Sequence, residues 1–335
     1  MQRQLLLVNY CIDPNDPSLA HQHEVLLGLA ENFEKVTVIT TRNAVQTLPK
    51  NIDVHVVPWK PKRDIVNSLM LFWSTLVIMS RSKPSYAFTH MLPKHAIIVG
   101  LITRLFGIRH VLWYAHASNP LSLRLAKLIV SGVATSTVGS MPLDGPKIRY
   151  IGQGVDRNKF QRSARPLNSQ NDFLYVGRMD ESKNVKLIID TLQALRIERP
   201  NIRLTLIGNN AEKFIVDSQE TWITTKNSIL RSDLPKEYEK HEIFIHAFLG
   251  SLDKVLIEAT LVGLPVLTIN AEYLTEFIHW TSTSPITLLN QVTGLYSKNL
   301  TEIDSILDQN YSIAISRHEL EGWILRLTEF IVNEQ

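Results

Sequence analysis

A single cysteine, Cys11, in 335 residues leaves no partner for an internal disulfide and suits a reducing compartment. At the end of an apolar run it reads as a packing residue at a strand end. Long hydrophobic runs are also missing. Ile65 to Met79 is the more apolar stretch, but Asn67, Ser68, Ser74 and Thr75 interrupt it and it is too short to span a bilayer unaided, so no transmembrane helix is predicted. The apolar run Leu5 to Val8 is far shorter than the core of a signal peptide and breaks at Asn9, which predicts a chain that starts in the cytosol. Charge of one sign is scarce: 35 basic and 32 acidic residues give a net charge of +3 with no dense basic run, which argues against nucleic acid as a partner. There is no Asp-x-Asp pair, and no His or Cys set completes a metal-ligand spacing, so no metal site is expected. What is present is ordinary globular composition, 44% apolar and 20% charged, in a chain long enough for two α/β domains with separate cores.

The first half alternates strand-like and helix-like segments. Residues 5–8, 36–40, 54–57, 86–89, 111–114 and 133–137 read as strands. Helical patterns cover 19–33, 65–81, 94–106 and 121–131. Short apolar strands separated by helices predict a mostly parallel, doubly wound sheet. A polar stretch rich in Arg, Ser, Asn and Pro follows, after which the alternation restarts with strands at 173–176, 204–207, 223–225, 243–247 and 266–269 and helices at 185–197, 234–240 and 254–261. The expected organisation is therefore α/β, two Rossmann-like doubly wound domains facing a cleft. Residues 1–160 form the first domain, 161–172 a linker, and 173–311 the second domain. Residues 312–335 form a last helix, with Trp323, Ile324, Leu327, Phe330 and Ile331 as its apolar positions, which either caps the second domain or crosses back to pack on the first.

The stretch Phe173 to Asn184 draws most attention. A short apolar run breaks at Gly177, carries Arg178 and Lys183 through a polar turn, and gives way to a helical pattern from Val185. At the carboxyl end of a parallel strand, such a loop lies where α/β sheets bind ligands, and two fixed cations beside a helix N-terminus suit a diphosphate. A solvated basic turn is the other reading of the same segment.

Four blocks together are more specific: Tyr150 to Phe160 (Tyr-Ile-Gly-Gln-Gly-Val-Asp-Arg-Asn-Lys-Phe), Tyr175 to Asn184, Leu204 to Gly208, and Leu256 to Val266 (Leu-Ile-Glu-Ala-Thr-Leu-Val-Gly-Leu-Pro-Val). In order and spacing this set resembles the retaining GT-B glycosyltransferases of family 4. The resemblance covers roughly half the chain, while the first domain resembles the family only in rhythm and in fragments such as Trp113-Tyr114-Ala115-His116.

The resemblance implies metal-independent transfer of a sugar from a nucleotide diphosphate sugar to a glycan or lipid-linked acceptor, with retention of configuration. The expected setting is cell-surface polysaccharide or glycoconjugate synthesis in the cytoplasm, with no separate cofactor. It places Gly177, Arg178, Lys183, Gly208, Gly250, Ser251, Leu252 and Glu258 at the donor. Arg178 and Lys183 would stabilise charge on the departing diphosphate, and Glu258, at the start of a helix, would accept the ribose hydroxyls. His116 would hydrogen-bond a sugar hydroxyl, with His21 and His23 as acceptor-side candidates.

There are departures from the family pattern. The family has a second glutamate on the loop before Glu258, and Gly250 stands at that position. Asp253, or a backbone N–H from Gly250 to Leu252, is then the expected substitute. The loop Ile12 to Ala20 has no glycine for close approach to phosphate, and Ser18 is expected to cap the following helix instead. A catalytically silent GT-B homologue and a sugar-nucleotide epimerase remain alternatives. Trp59 to Arg63 followed by Ile65 to Met79 reads as a basic collar and an apolar helix in peripheral contact with an anionic membrane, or as an ordinary buried helix.

Overall fold

The computed structural model describes residues 3–16, 19–43, 45, 47–163, 170–214 and 221–333. The chain forms two compact units, Met1–Gly154 with Leu320–Gln335, and Val155–Glu319. The crossings therefore fall at 154/155 and 319/320 rather than at 160, 173 and 312. The stretch 161–172 expected as a linker lies within the second unit, its residues 164–169 outside the described ones. The reason is that Phe160 is already buried in the second unit's core beside Tyr238, and the Val155 N–H donates to the His318 carbonyl at 2.9 Å.

In the first unit the strands are β1 (Gln4–Cys11), β2 (Lys35–Arg42), β3 (Ile52–Val56), β4 (Tyr86–His90), β5 (Arg109–Trp113), β6 (Gly132–Thr135) and β7 (Ile148–Tyr150). They form one parallel sheet in the order β3-β2-β1-β4-β5-β6-β7. The last of these was not read from the sequence as a strand. Alternation along β1 sends Leu5 and Leu7 into one core and Leu6 and Val8 into another, so both faces are covered. Helices α2 (Asp64–Ser82), α3 (Pro93–Leu105) and α4 (Leu121–Ile129) lie on the Leu6 side. Helix α1 (His21–Asn32) lies on the Leu5 side. Its N-cap is Ala20, without a side-chain cap, and Ser18 lies outside the described residues.

The second unit repeats the scheme. Strands β8 (Asp172–Val176), β9 (Arg203–Ile207), β10 (Ile223–Lys226), β11 (Ile243–His246) and β12 (Val266–Thr268) form a parallel sheet in the order β10-β9-β8-β11-β12. Its helices are α5 (Val185–Leu195), α6 (Leu234–Tyr238), α7 (Lys254–Val262), α8 (Ala271–Glu276), α9 (Leu288–Tyr296) and α10 (Leu300–His318). Gly263 ends α7 at φ 90°, a left-handed position that glycine occupies without a Cβ penalty.

The single terminal helix expected over 312–335 is two. Helix α10 ends at His318, Glu319 turns extended, and α11 (Leu320–Val332) begins anew. Trp323, Ile324, Leu327 and Ile331 of α11 fill the first unit's core. A Cβ at Gly28 would sit 2.9 Å from Ile324 Cγ1, so the bare glycine on α1 is what lets α11 lie this close.

Candidate functional site

In the second sheet the connections run outward in opposite directions from the neighbours β8 and β11. The crevice at their carboxyl ends is where open α/β sheets take ligands. Two loops meet there, one after β8 and one after β11.

The β8 loop is folded by its own side chains. The buried Tyr175 phenol donates to the Arg178 carbonyl at 2.8 Å, and a Cβ at Gly177 would fall 2.7 Å from that phenol oxygen. Gly208, at the end of β9, has a similar reason to be glycine: a Cβ would overlap the Gly177 carbonyl at 2.0 Å. These two glycines therefore let the β8 loop close on itself and on the end of β9. Asp180 caps the short helical turn Glu181–Lys183 through Ser182, and Asn184, at φ 50°, starts α5. The Asn184 amide donates to the Ala247 carbonyl at 3.2 Å and ties the first loop to the second.

That turn sends the two expected cations to different places. Arg178 is 68% exposed and pairs with Asp180 at 3.3 Å. Lys183 is turned inward, its side chain 6% exposed, where it pairs with Asp253 and lies 3.6 Å from the centroid of the Phe248 ring. Burying an ammonium is costly unless it is paired, and here a carboxylate and an aromatic face both meet it.

The β11 loop, from Ala247 to Asp253, is held by Asn270. Its amide donates to the carbonyls of Phe248 at 2.9 Å, Gly250 at 3.0 Å and Ser251 at 3.3 Å, while its oxygen caps α8. Leu252 and Ser251 are buried and anchor the loop. Gly250 answers for the absent glutamate. A Cβ there would lie 2.2 Å from the Phe248 ring, so the ring that faces Lys183 occupies the space a side chain at 250 would need.

Asp253 sits at the N-cap of α7 without capping it, because its carboxylate is directed to Lys183 and to His246 Nε2 at 3.1 Å. His246 is fully buried, with Nδ1 3.2 Å from the Thr268 hydroxyl. Burial above all holds its pKa below the ordinary value, so the neutral ring donates from Nε2 to Asp253 and accepts at Nδ1 from Thr268. For Asp253 burial, the largest influence, pushes upward. The His246 hydrogen bond and the neighbouring positive charge outweigh it and bring the pKa down to about 2. Because His246 is neutral, its effect is exerted as a hydrogen-bond donor rather than as a cation.

Glu258 is not at a helix start. It is the fifth of the nine residues of α7, 1% exposed, with Oε1 2.6 Å from Arg231 Nη1 and Oε2 accepting from the Tyr238 phenol at 3.2 Å. Burial, then the charge of Glu258, keeps that phenol protonated well past its ordinary range.

In the first unit the glycine-free loop after β1 is closed by Gln22, whose Oε1 accepts the N–H groups of Tyr10 and Cys11 at 3.2 Å each. Cys11 ends β1, buried and free, as a packing residue. His23 Nδ1 lies 3.1 Å from the Ile12 carbonyl, which makes it a loop brace, and the His21 ring lies 5.7 Å from that of buried His90, tilted by 52°. His116, past β5, accepts the Ser118 N–H at Nδ1 at 3.0 Å, which leaves Nε2 to carry the proton of a neutral ring. Among the described residues, no three or more His, Cys, Asp or Glu gather as a metal site.

Four residues escaped the sequence reading: His246, Phe248, Arg231 and Asn270. The signal for His246 was a histidine closing the otherwise apolar strand Ile243-Phe244-Ile245. Arg231 stands in a polar loop and gave none.

Residues 156–283 match the glycosyl transferases group 1 family. A capsular polysaccharide biosynthesis glycosyltransferase of Staphylococcus aureus, CapH, is 29% identical over 140 residues, a match that spans 39% of this chain and 39% of the relative's own length. Among solved structures, HepE of Anabaena in complex with UDP and glucose superposes with a TM-score of 0.73 at 15% identity, covering 98% of this chain and 99% of that one. A glycosyltransferase of Rickettsia africae gives 0.78 at 13% identity over all of both chains. The likeness in structure extends over the whole chain, whereas the likeness in sequence is concentrated where Lys183, Asp253 and Glu258 stand. The second unit carries a glycosyl transferases group 1 domain, in a chain with the GT-B glycosyltransferase fold.

Proposed function

We propose that the protein transfers a sugar from a nucleotide diphosphate sugar, with retention of anomeric configuration and without a divalent cation, to a glycan or lipid-linked acceptor in polysaccharide or glycoconjugate synthesis. The observation that supports this best is the buried Lys183, fixed at the carboxyl ends of β8 and β11 inside the segment that matches the family. A cation held in a low-dielectric crevice stabilises a departing diphosphate far more than one in water. The exposed Arg178 adds a second, planar grip on the phosphates, and these fixed charges do the work a bridging metal would do.

Asp253 has too low a pKa to take up a proton at neutral pH, so its part is to orient Lys183, with His246 orienting Asp253 in turn. Glu258 has about four acceptor positions. Arg231 and Tyr238 take two, and the ribose hydroxyls use the rest. With no carboxylate as nucleophile, the bond from the anomeric carbon to the phosphate oxygen breaks as the acceptor oxygen bonds to the same face. The acceptor proton passes to the departing phosphate. His116, donating from Nε2, holds a sugar hydroxyl.

Isothermal titration of UDP, GDP and ADP and their sugar conjugates tests the reading. Selective binding of one diphosphate, lost in Lys183→Ala and unchanged by EDTA, is the expected result. Selective binding without transfer to any acceptor would instead favour the silent homologue, a reading favoured by the full neutralisation of Lys183 by Asp253. Absence of binding by all of them overturns the transferase reading and leaves the silent homologue.

A further inference from the structure

We propose that the outer face of α2, α3 and α4 is a docking surface for an anionic lipid bilayer. Of the 22 large apolar side chains exposed among the described residues, 12 lie on these three helices or at their ends. They include Ile65, Leu69 and Trp73 on α2, Leu101 and Leu105 on α3 and Leu128 on α4. Between α2 and α3, Ile65, Leu69 and Leu101 line a groove of about 510 Å³ together with Phe72, Ile97 and Ile98. Patches this extensive on a surface mark an interaction site.

Charge identifies the occupant. From Val57 to Ser131 the sequence holds ten Lys and Arg and one carboxylate, Asp64, although the whole chain is only +3. The cations stand at both ends of the apolar face: Lys60, Lys62, Arg63 and Lys94 at the amino ends of α2 and α3, Arg81 in the last turn of α2 and Lys83 at its C-cap. The one acid is matched by Lys94 at 3.1 Å. An apolar strip with Trp and Leu, bordered by Lys and Arg and almost empty of acids, fits a bilayer interface with anionic headgroups. Nucleic acid would find no use for the apolar strip, and a second copy of this face would bring like charges together.

Helix α2 is long and apolar enough to cross a membrane by length and composition. However, its inner face, with Leu71, Ile78 and Met79, is part of the core under the sheet. It therefore lies along the surface rather than across the bilayer.

This proposal is independent of the donor reading, and Lys183→Ala is expected to bind vesicles as the unaltered chain does. The test is co-sedimentation of the full chain with vesicles of phosphatidylglycerol and phosphatidylcholine, against phosphatidylcholine alone. Binding to the anionic vesicles, weakened by salt, is expected. Replacing Lys60, Lys62 and Arg63 with Gln is expected to lower it at least tenfold, since each cation near such a surface contributes roughly five-fold. A triple change of Ile65, Leu69 and Trp73 to Ser is expected to abolish it while far-UV dichroism and the urea midpoint stay unchanged. No binding to anionic vesicles, equal binding to neutral ones, or a stable dimer by light scattering that the Ser variant dissolves would each overturn it.

Discussion

The two sheets reverse direction in the same way, between β1 and β4 in the first unit and between β8 and β11 in the second, yet what stands at the two places differs. In the first, uncharged Gln22 takes the N–H groups of Tyr10 and Cys11, and His21 lies tilted against His90. The cation nearby, Arg42 on Asp16, is 55% exposed. In the second, each ion pair has a buried member, Lys183 on Asp253 and Glu258 on the partly buried Arg231. A buried ion pair is a poor way to gain stability, since desolvation offsets most of the attraction. Two such pairs in the second unit and, among the described residues, none at the strand ends of β1 and β4 point to a binding task that needs fixed charge.

Experiments can break this contrast. The largest effect is expected from Arg231→Ala, which leaves Glu258 buried without its cation. It should cost roughly 3–5 kcal/mol in urea unfolding, followed by tryptophan fluorescence. An Arg42→Ala change at the first sheet should cost under about 1 kcal/mol in the same assay, because exposed pairs contribute little. Similar losses in the two variants would erase the distinction.

Lys183→Ala comes next, with an expected loss of about a hundredfold in donor affinity or turnover, or roughly 2.7 kcal/mol, against about tenfold for the exposed Arg178→Ala. Equal losses would mean that burial adds nothing.

A pH titration sharpens the same point. The folded-state pKa of Asp253, about 2, lies below its ordinary 3.8, so its contribution to stability is complete above about pH 4 and is lost as pH falls through about 2. Asp253→Asn is expected to lower stability at pH 7 by about 2 kcal/mol and to flatten part of the acid limb of the unfolding curve. Glu237 keeps the remainder of that limb. Its burial is outweighed by hydrogen bonds from Lys226 and Lys240, which also bring it to about 2. An unchanged acid limb would remove Asp253 from the account.

The smallest change tests the missing glutamate. Gly250→Glu should destabilise the protein by about 1–3 kcal/mol, because the new Cβ meets the Phe248 ring. Adding Phe248→Ala should recover much of that loss by thermal melting. No recovery would show that the ring is not what excludes a side chain there.

How much of this was legible in the sequence follows from the range of the interactions. Strand and helix rhythm is local, so the alternation from Leu5 to Thr137 and again from Phe173 is visible in periodicity alone. The basic turn from Gly177 to Lys183 was readable for the same reason, a strand, loop and helix in one continuous stretch. Helix breaks such as that at Glu319 were not, because the pattern of α10 runs on into α11 and only the packing of Trp323 in the other unit's core separates them. Nor could periodicity tell that α2 is apolar on its outer side as well as its inner one.

By itself, then, the sequence determined two parallel α/β sheets, the position of the cationic loop after β8, and the four blocks that led to the family. Only the tertiary structure decided which of two cations is buried, which carboxylate each one meets, and why residue 250 has no side chain. The burial of Lys183 depends on a contact with Asp253, 70 residues away, and the others on desolvation and on how the Phe248 ring packs, none of which a local periodicity records.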